Sequence, residues 1–301
     1  MPARNVIILC GPTASGKSAL ALKLARQADG VIINADSMQV YAGIPIVTAA
    51  PSAEDMAHAP HRLFGYMDPA TPCSVAMWLE AARIAVYETW QEGKTPIIVG
   101  GTGMYIKALL NGIVAIPDIS PFIRQEARAL GREAAYTTLQ RHDPETASRL
   151  KPGDTQRIVR AYEVWRETGK PLSYWQAQPP LLPLPDARFI TCALDIPRDT
   201  LYQRCNQRLL AMLENGALEE INALLSRNLS SDLPAMRAVG VPELIRSVQG
   251  EWTREYAIEK AQQATRNYAK RQLTWLRHQL PDAIPIPYPY DRLPAELVDL
   301  P

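Results

Sequence analysis

Eight residues near the start constrain this chain more than any other stretch: Gly11-Pro12-Thr13-Ala14-Ser15-Gly16-Lys17-Ser18. They fit the pattern G-x-x-x-x-G-K-S/T, a phosphate loop when it joins a strand to a helix. The flanks meet that condition. Asn5 to Cys10 is a short apolar run of the kind a fully buried strand shows, and Ala19 to Ala25 reads as a helix. Glycines let backbone wrap closely around an anion, so that amides and the helix N-terminus converge on it. Lys17 adds a mobile positive charge, and the Ser18 hydroxyl is suited to ligating Mg²⁺. The expected ligand carries two or more linked phosphates.

At 301 residues the chain is long enough for one large or two modest domains. A net charge of +1 carries no global polyanion signature, so nucleic-acid binding would rest on local basic surfaces. The four cysteines form no C-x-x-C pair, and Cys10 and Cys192 lie in apolar runs. They read as reduced core residues of a cytoplasmic protein. No apolar run approaches the roughly eighteen residues of a membrane span, and Met1-Pro2-Ala3-Arg4 leads straight into the first strand. The expectation is a soluble protein without membrane contact.

A second apolar run, Gly30 to Ala35, ends at Asp36, where a strand meets the loop Ser37-Met38-Gln39-Val40-Tyr41. In doubly wound sheets ligands bind along that edge; an acid capping the next segment is the competing reading. His58-Ala59-Pro60-His61 lacks a third metal ligand and reads as structural. Residues 76–92 read as an amphipathic helix. Lys94 to Val99 is a third strand, running into Gly100-Gly101-Thr102-Gly103 rather than an acid, which favours close approach of a ligand and argues against ATP hydrolysis.

Residues 119–178 carry helical signals only, with Arg157 and Arg160 off the apolar stripe of Ile158, Ala161, Tyr162 and Trp165. A Pro-rich linker, 178–185, leads to a returning strand, Arg188 to Asp195, and a helix bearing Arg204 and Arg208 one turn apart. The last long helix, 253–279, carries six Lys/Arg against two acids over 254–278. Solvated surface and phosphate or RNA contact both fit these arginines, and Trp275 reads as core or as a stacking platform. The Pro-rich tail reads as peripheral. The fold expected is α/β: a P-loop NTPase-like parallel sheet flanked by helices, formed by 1–118 and 186–301, with an inserted all-helical lobe at 119–185.

The motifs, taken in order, resemble the tRNA dimethylallyltransferases (tRNA isopentenyltransferases) of the bacterial type. The matching pieces are residues 11–18, Asp36 to Tyr41, Pro60-His61-Arg62-Leu63, Gly100 to Tyr105, Gln156 to Ala161, Arg204 to Arg208, Met236 to Gly240 and Lys270 to Arg277. The resemblance implies transfer of a dimethylallyl group from dimethylallyl diphosphate to the exocyclic amine of adenosine 37, beside the anticodon of a tRNA. It implies that Gly11 to Ser18 hold the diphosphate, with Mg²⁺ at Ser18, and that Thr13, Lys17 and Arg208 neutralise the leaving group. Asp36 would be the general base. Ser37, Met38, Gln39, Thr102 and Arg124 would meet the tRNA or reacting centre. Gln156, Arg157, Ile158, Val159, Arg160, Arg237, Ala238, Val239, Gly240, Val241 and Pro242 would be RNA-contacting segments.

Two stretches depart from the family pattern. Ile46-Val47-Thr48-Ala49-Ala50-Pro51 stands where I-G-T-A-K-P is common, and Val239-Gly240-Val241-Pro242 where V-G-Y followed by a polar residue is usual. The partners expected are a tRNA anticodon stem-loop and the prenyl donor, with the protein a monomer. The alternatives are an isopentenyltransferase acting on free adenylate, a P-loop small-molecule kinase, and a non-catalytic RNA-binding module.

Overall fold

The computed structural model describes residues 4–298; Met1 to Ala3 lie outside them. By compactness the chain forms one unit of Met1–Leu110 with Pro183–Pro301, and another of Asn111–Leu182.

The first unit is built on β1 (Arg4–Cys10), α1 (Lys17–Gln27), β2 (Gly30–Asn34), α2 (Pro45–Thr48), α3 (Ala53–His58), β3 (His61–Arg62), α4 (Val75–Gln91), β4 (Thr95–Gly100) and α5 (Gly103–Asn111). In the second unit follow α6 (Pro121–Leu130), α7 (Arg132–His142), α8 (Pro144–Arg149), α9 (Thr155–Thr168) and α10 (Leu172–Gln176). The chain then returns with β5 (Ala187–Asp195), α11 (Arg198–Glu214), α12 (Ala217–Ser226), a 3₁₀ turn (Pro234–Arg237), α13 (Val241–Val248), α14 (Arg254–Gln279), β6 (Ile284–Pro287) and α15 (Ala295–Val298).

The six strands form one sheet in the order β3-β2-β4-β1-β5-β6, and every pairing is parallel. Parallel strands are covered on both faces, which is why Val6 to Cys10 and Val31 to Ile33 read as unbroken apolar runs. Val6 to Cys10 have no exposed surface. Leu20, Ala21 and Leu24 of α1 pack on one face, and Trp78 of α4 is fully buried, its indole N–H donating to the Asn34 carbonyl at 2.8 Å. The fold is α/β, and β1 lies inside the sheet with its carboxyl end feeding Gly11 to Ser18.

The all-helical unit has its own core of Ala127, Ala135, Leu139, Ala147, Ile158, Ala161 and Tyr162. Its ends are zipped by an antiparallel bridge in which the Leu181 N–H donates to the Ile113 carbonyl at 2.9 Å. The unit therefore begins at Asn111, ahead of the boundary at 119 read from the sequence.

The tail is not peripheral, which corrects the sequence reading. Ile284 to Pro287 pairs with β5 as the edge strand. Prolines are tolerated there because an edge strand has one side without ladder partners. Ile286 is fully buried, and Ile284 packs against the same cluster.

Close approach of β2 and β4 is set by a glycine: a Cβ on Gly100 would lie 2.1 Å from the Ala35 carbonyl oxygen. Since backbone on both sides cannot give way, Gly100→Ala is expected to cost about 3 kcal/mol or more and to lower the melting temperature by several degrees or abolish soluble expression. Thermal unfolding followed by circular dichroism checks this.

Candidate active site

Gly11 to Ser18 bends from β1 into α1, with Gly16 as N-cap at φ 99° and no side-chain cap. A left-handed residue is needed there, and glycine adopts it without penalty. Two amides of the loop are spent internally: Ser15 N–H donates to the Pro12 carbonyl at 3.2 Å, and Thr13 N–H to Gln272 Oε1 at 2.8 Å. The amides of Ala14, Gly16, Lys17 and Ser18 find no hydrogen-bond partner among the described residues. A helix start left open in this way attracts anions.

The cationic groups face the same space. Lys17 Nζ folds back onto the Pro12 carbonyl at 3.3 Å. Burial pushes its pKa down to about 8; Asp36 opposes that shift and Arg208 adds to it. Arg208, lowered chiefly by burial, donates to the Thr13 hydroxyl, while Arg204 reaches the Ser15 carbonyl at 3.4 Å. A cavity of about 440 Å³ is lined by Thr13, Ala14, Gly16, Lys17, Ser18, Asp36, Gln39, Thr48, Arg204 and Arg208 among others.

A second cavity, more enclosed and about 50 Å³, is mainly apolar. Met38, Val47, Leu209, Met212, Ala238, Val239, Gly240, Leu244 and Tyr268 line it. Thr13, Asp36, Thr48 and Arg208 line both cavities. Asp36 is half-buried at the end of β2; its backbone N–H donates to Asn34 Oδ1 at 2.8 Å, and its Oδ1 accepts the Met38 N–H at 3.0 Å. It thus caps the following turn and lines the cavities at once. Thr102 Oγ1 accepts the Ser37 N–H at 2.9 Å and donates to Ser37 Oγ at 3.2 Å. Gln39 donates to the Thr48 and Ala49 carbonyls at 3.0 and 2.8 Å.

The departing segment, Ile46 to Ala50, is anchored from α12. Glu220 takes the Ile46 and Val47 N–H groups at 2.8 and 2.9 Å, capping α2, and burial raises its carboxyl pKa. At the second departure, Val241 is fully buried and Pro242 exposed.

Gly101 and Gly103 have a different purpose from the ligand approach read in the sequence. A Cβ at Gly101 would lie 2.2 Å from Gln272 Nε2, and one at Gly103 would lie 2.3 Å from the Trp275 ring. Both glycines make room for α14. Trp275 lies against Gly103 and also lines an open groove with Lys270, Arg271 and His278. Arg266 does not share that face, because Asn206 draws it inward at 2.6 Å.

In the helical unit Gln156, Arg157, Arg160 and Arg124 are exposed, Val159 is half-buried and Ile158 fully buried. Arg157 pairs with Asp154 at 3.4 Å and Arg160 with Glu163 at 3.5 Å. In the first unit Arg237 pairs with Asp232 on the surface. Such exposed pairs contribute little to stability and leave the arginines open to exchange for another anion.

Three residues escaped the sequence reading. Gln272 sits inside a basic run, yet it is buried and holds both Thr13 N–H and, at 2.9 Å, the Gly101 carbonyl. Tyr268, one helical turn before it, lines the apolar cavity and has its pKa raised by burial and by Asp36. Spacing along α14 was the available signal, since 265, 268, 269, 272 and 276 share one face. Tyr290 had no such signal.

The chain is thus a parallel α/β protein with a polar and an apolar small-ligand cavity meeting at the end of its first strands, and comparison with known proteins narrows this. The model of a family described as IPP transferase matches residues 39–279, and one described as isopentenyl transferase matches residues 4–67. The chain is 49% identical to the tRNA dimethylallyltransferase of Rhodospirillum centenum over 93% of this chain and 91% of that one. It is 50% identical to that of Rhodospirillum rubrum, over 93% and 87%. Among solved structures it matches the full-length tRNA isopentenylpyrophosphate transferase of Bacillus halodurans, with TM-score 0.69, 32% identity and coverage of 94% and 90%. It also matches a eukaryotic dimethylallyltransferase acting on tRNA, with TM-score 0.82, 28% identity and coverage of 95% and 74%. The chain belongs to the IPP transferase family, that of the tRNA dimethylallyltransferases.

Because an anion beside Lys17 favours its ammonium form, binding inorganic diphosphate takes up a proton once the pH passes the lowered pKa of about 8. Affinity is therefore expected to fall as pH rises above 8, by up to about tenfold per unit. Calorimetry should find that pH dependence reduced in Lys17→Arg, which keeps its charge.

Proposed function

We propose that this protein transfers a dimethylallyl group from dimethylallyl diphosphate to the exocyclic amine of adenosine 37 in a tRNA anticodon stem-loop, giving N6-(dimethylallyl)adenosine and diphosphate. The observation that carries the reading is the sharing of Thr13, Asp36, Thr48 and Arg208 by a cationic cavity and an apolar one. A prenyl diphosphate has one charged end and one greasy end, and its reacting carbon lies where they join.

In this reading the diphosphate lies against the Ala14, Gly16, Lys17 and Ser18 amides, with Lys17 and Arg208 balancing the charge that develops on the bridging oxygen. Thr13, fixed by Gln272 and Arg208, faces the same oxygen. The allylic C–O bond breaks as the adenine nitrogen bonds to that carbon. The nitrogen's surplus proton passes to Asp36. The apolar walls receive the five-carbon chain and keep out water, which would otherwise capture the allylic carbon. The adenosine must leave the anticodon stack to reach Asp36, as bases do in other base-modifying enzymes.

The residues present suit Mg²⁺: the Ser18 hydroxyl offers a hard oxygen donor on the wall where a diphosphate would supply others. Mg²⁺ held at Ser18 would supply Lewis-acid charge neutralisation of the leaving diphosphate. Among the described residues no three His, Cys, Asp or Glu side chains gather as a metal site.

RNA contact by Arg124, Gln156, Arg157 and Arg160 in one unit and Arg237 to Pro242 in the other is part of the proposal, supported by the exposed basic side chains. Action as a monomer in the cytoplasm is part of the proposal; the compartment fits four free cysteines, three of them buried. No helix of the described residues is long and apolar enough to cross a membrane.

Mass analysis of an adenosine-rich anticodon stem-loop incubated with the protein, Mg²⁺ and dimethylallyl diphosphate tests the reading; the expected product is heavier by one C5H8 unit. An unmodified stem-loop, or phosphate transfer from ATP in its place, would overturn it. Asp36→Asn is expected to lower turnover by about 10²- to 10⁴-fold while folding normally. Removing divalent cations with a chelator should abolish turnover, with recovery on adding MgCl₂.

A further inference from the structure

We infer that Tyr290, in the segment beyond the last long helix, is a positioning residue for the anion cradle, aiming the Gly16 amide at the donor's diphosphate by holding the Ser15 carbonyl away from it. The inference deepens the proposed function and rests on it for the identity of the anion.

The argument begins with the geometry of one peptide. In a trans peptide unit the C=O and N–H point in opposite directions, so fixing one fixes the other. The Ser15 carbonyl and the Gly16 N–H belong to the same unit. Two donors hold that carbonyl: the Tyr290 hydroxyl at 3.0 Å and an Arg204 guanidinium nitrogen at 3.4 Å. The Gly16 N–H is thereby turned the other way, and it finds no partner among the described residues. Left alone, this unit could flip, since Gly16 at φ 99° has no side chain to resist rotation. A flipped unit would present a carbonyl oxygen to the diphosphate, replacing attraction by repulsion.

Tyr290 is itself held in place. Its backbone lies in the left-handed region at φ 73°, a conformation non-glycine residues rarely adopt. Its N–H donates to the Pro287 carbonyl at 2.9 Å, closing a turn off β6. The ring packs against the core cluster beneath the sheet and edge-on to Tyr288, with centroids 5.5 Å apart. One ring carbon lies 3.6 Å from where a Cβ of Gly16 would be. Burial pushes the phenol pKa up to about 12, so the hydroxyl stays a donor throughout the working range. Arg204 also lines the cationic cavity, and Tyr290 leaves that guanidinium only part of the task of holding the carbonyl.

The test is Tyr290→Phe in the full chain, which removes one oxygen and keeps the ring. Calorimetry with inorganic diphosphate and Mg²⁺ is expected to show affinity weaker by about three- to tenfold, the loss expected from one hydrogen bond to a backbone carbonyl. In turnover, KM for dimethylallyl diphosphate should rise by a similar factor, with kcat and the KM for RNA within about twofold of the parent. Tyr288→Phe, which removes a neighbouring tail hydroxyl, should leave every value unchanged. Diphosphate affinity equal to the parent's in Tyr290→Phe, or equal losses in both variants, would overturn the inference. So would a fall in kcat and RNA affinity alongside a lowered melting temperature, which marks a merely structural role. Failure of the parent to prenylate RNA sinks the proposed function instead, and the diphosphate titration still decides the role of Tyr290.

Discussion

The architecture of this site depends on one buried amide side chain. Gln272 accepts the Thr13 N–H and donates to the Gly101 carbonyl, so the loops after β1 and β4 are held by the same residue of α14. The Gly101 contact is buried, and that carbonyl would cost about 1–3 kcal/mol if orphaned, while the Thr13 contact is part-buried. Gly101 lacks a side chain because Gln272 occupies its place, and Gly103 lacks one because Trp275 does. The same helix presents Lys270, Arg271 and His278 to an open groove. In the proposed reaction, then, one rigid rod supports the donor loop with its buried face and offers charge to the acceptor with its exposed one.

The cationic side of the site is under electrostatic tension. Lys17 and Arg208 are both drawn below their ordinary pKa by burial, and each is further affected by a like charge, Lys17 by Arg208 and Arg208 by Arg204. Asp36 is the acid that offsets both. In the proposed reaction a diphosphate entering here would relieve repulsion as well as gain attraction, so the group being neutralised would be the one whose departure that reaction requires. The lack of an acid after Val99 fits this balance, because another carboxylate would compete with the leaving group for the same cations.

Much of this was legible in the sequence. Buried parallel strands announce themselves as unbroken apolar runs, as Val6 to Cys10 does, and the placing of the glycine loop between a strand and a helix could be read from its flanks. Family resemblance then suggested roles for Asp36 and Arg208 that spacing alone left open, and those roles are part of the proposed function. The parts that were not legible depend on long-range contacts between small features. β3 is only two residues long, and β6 alternates isoleucine with proline, so neither has a strand signature. Gln272 is hidden among cationic neighbours in a helix whose charge suggests exposure. Tyr290 reaches Ser15 across 275 residues, from a turn whose proline-rich sequence has no periodicity to read. The glycines after β4 were read as room for a ligand, since sequence shows that space is needed without showing what fills it.

The two stretches that depart from the family pattern also find their reasons in packing. α2 is capped by Glu220 through the amides of Ile46 and Val47, and a backbone amide is available whichever side chain follows it. The loss of glycine at Val47 is tolerated because the residue sits in a helical turn and offers its side chain to the apolar cavity. Ala50 lacks the amine a lysine would bring, yet Arg204 and Arg208 already supply charge to the cationic cavity from α11. Val241 is wholly buried at the start of α13, so an aromatic ring could fit there only by pointing elsewhere or repacking the core. Its neighbours Ala238, Val239 and Gly240 line the apolar cavity instead. In the proposed reaction Ala238, Val239 and Gly240 therefore act as a wall around the prenyl chain, while the exposed Arg237 and Pro242 of the same segment are left to meet RNA.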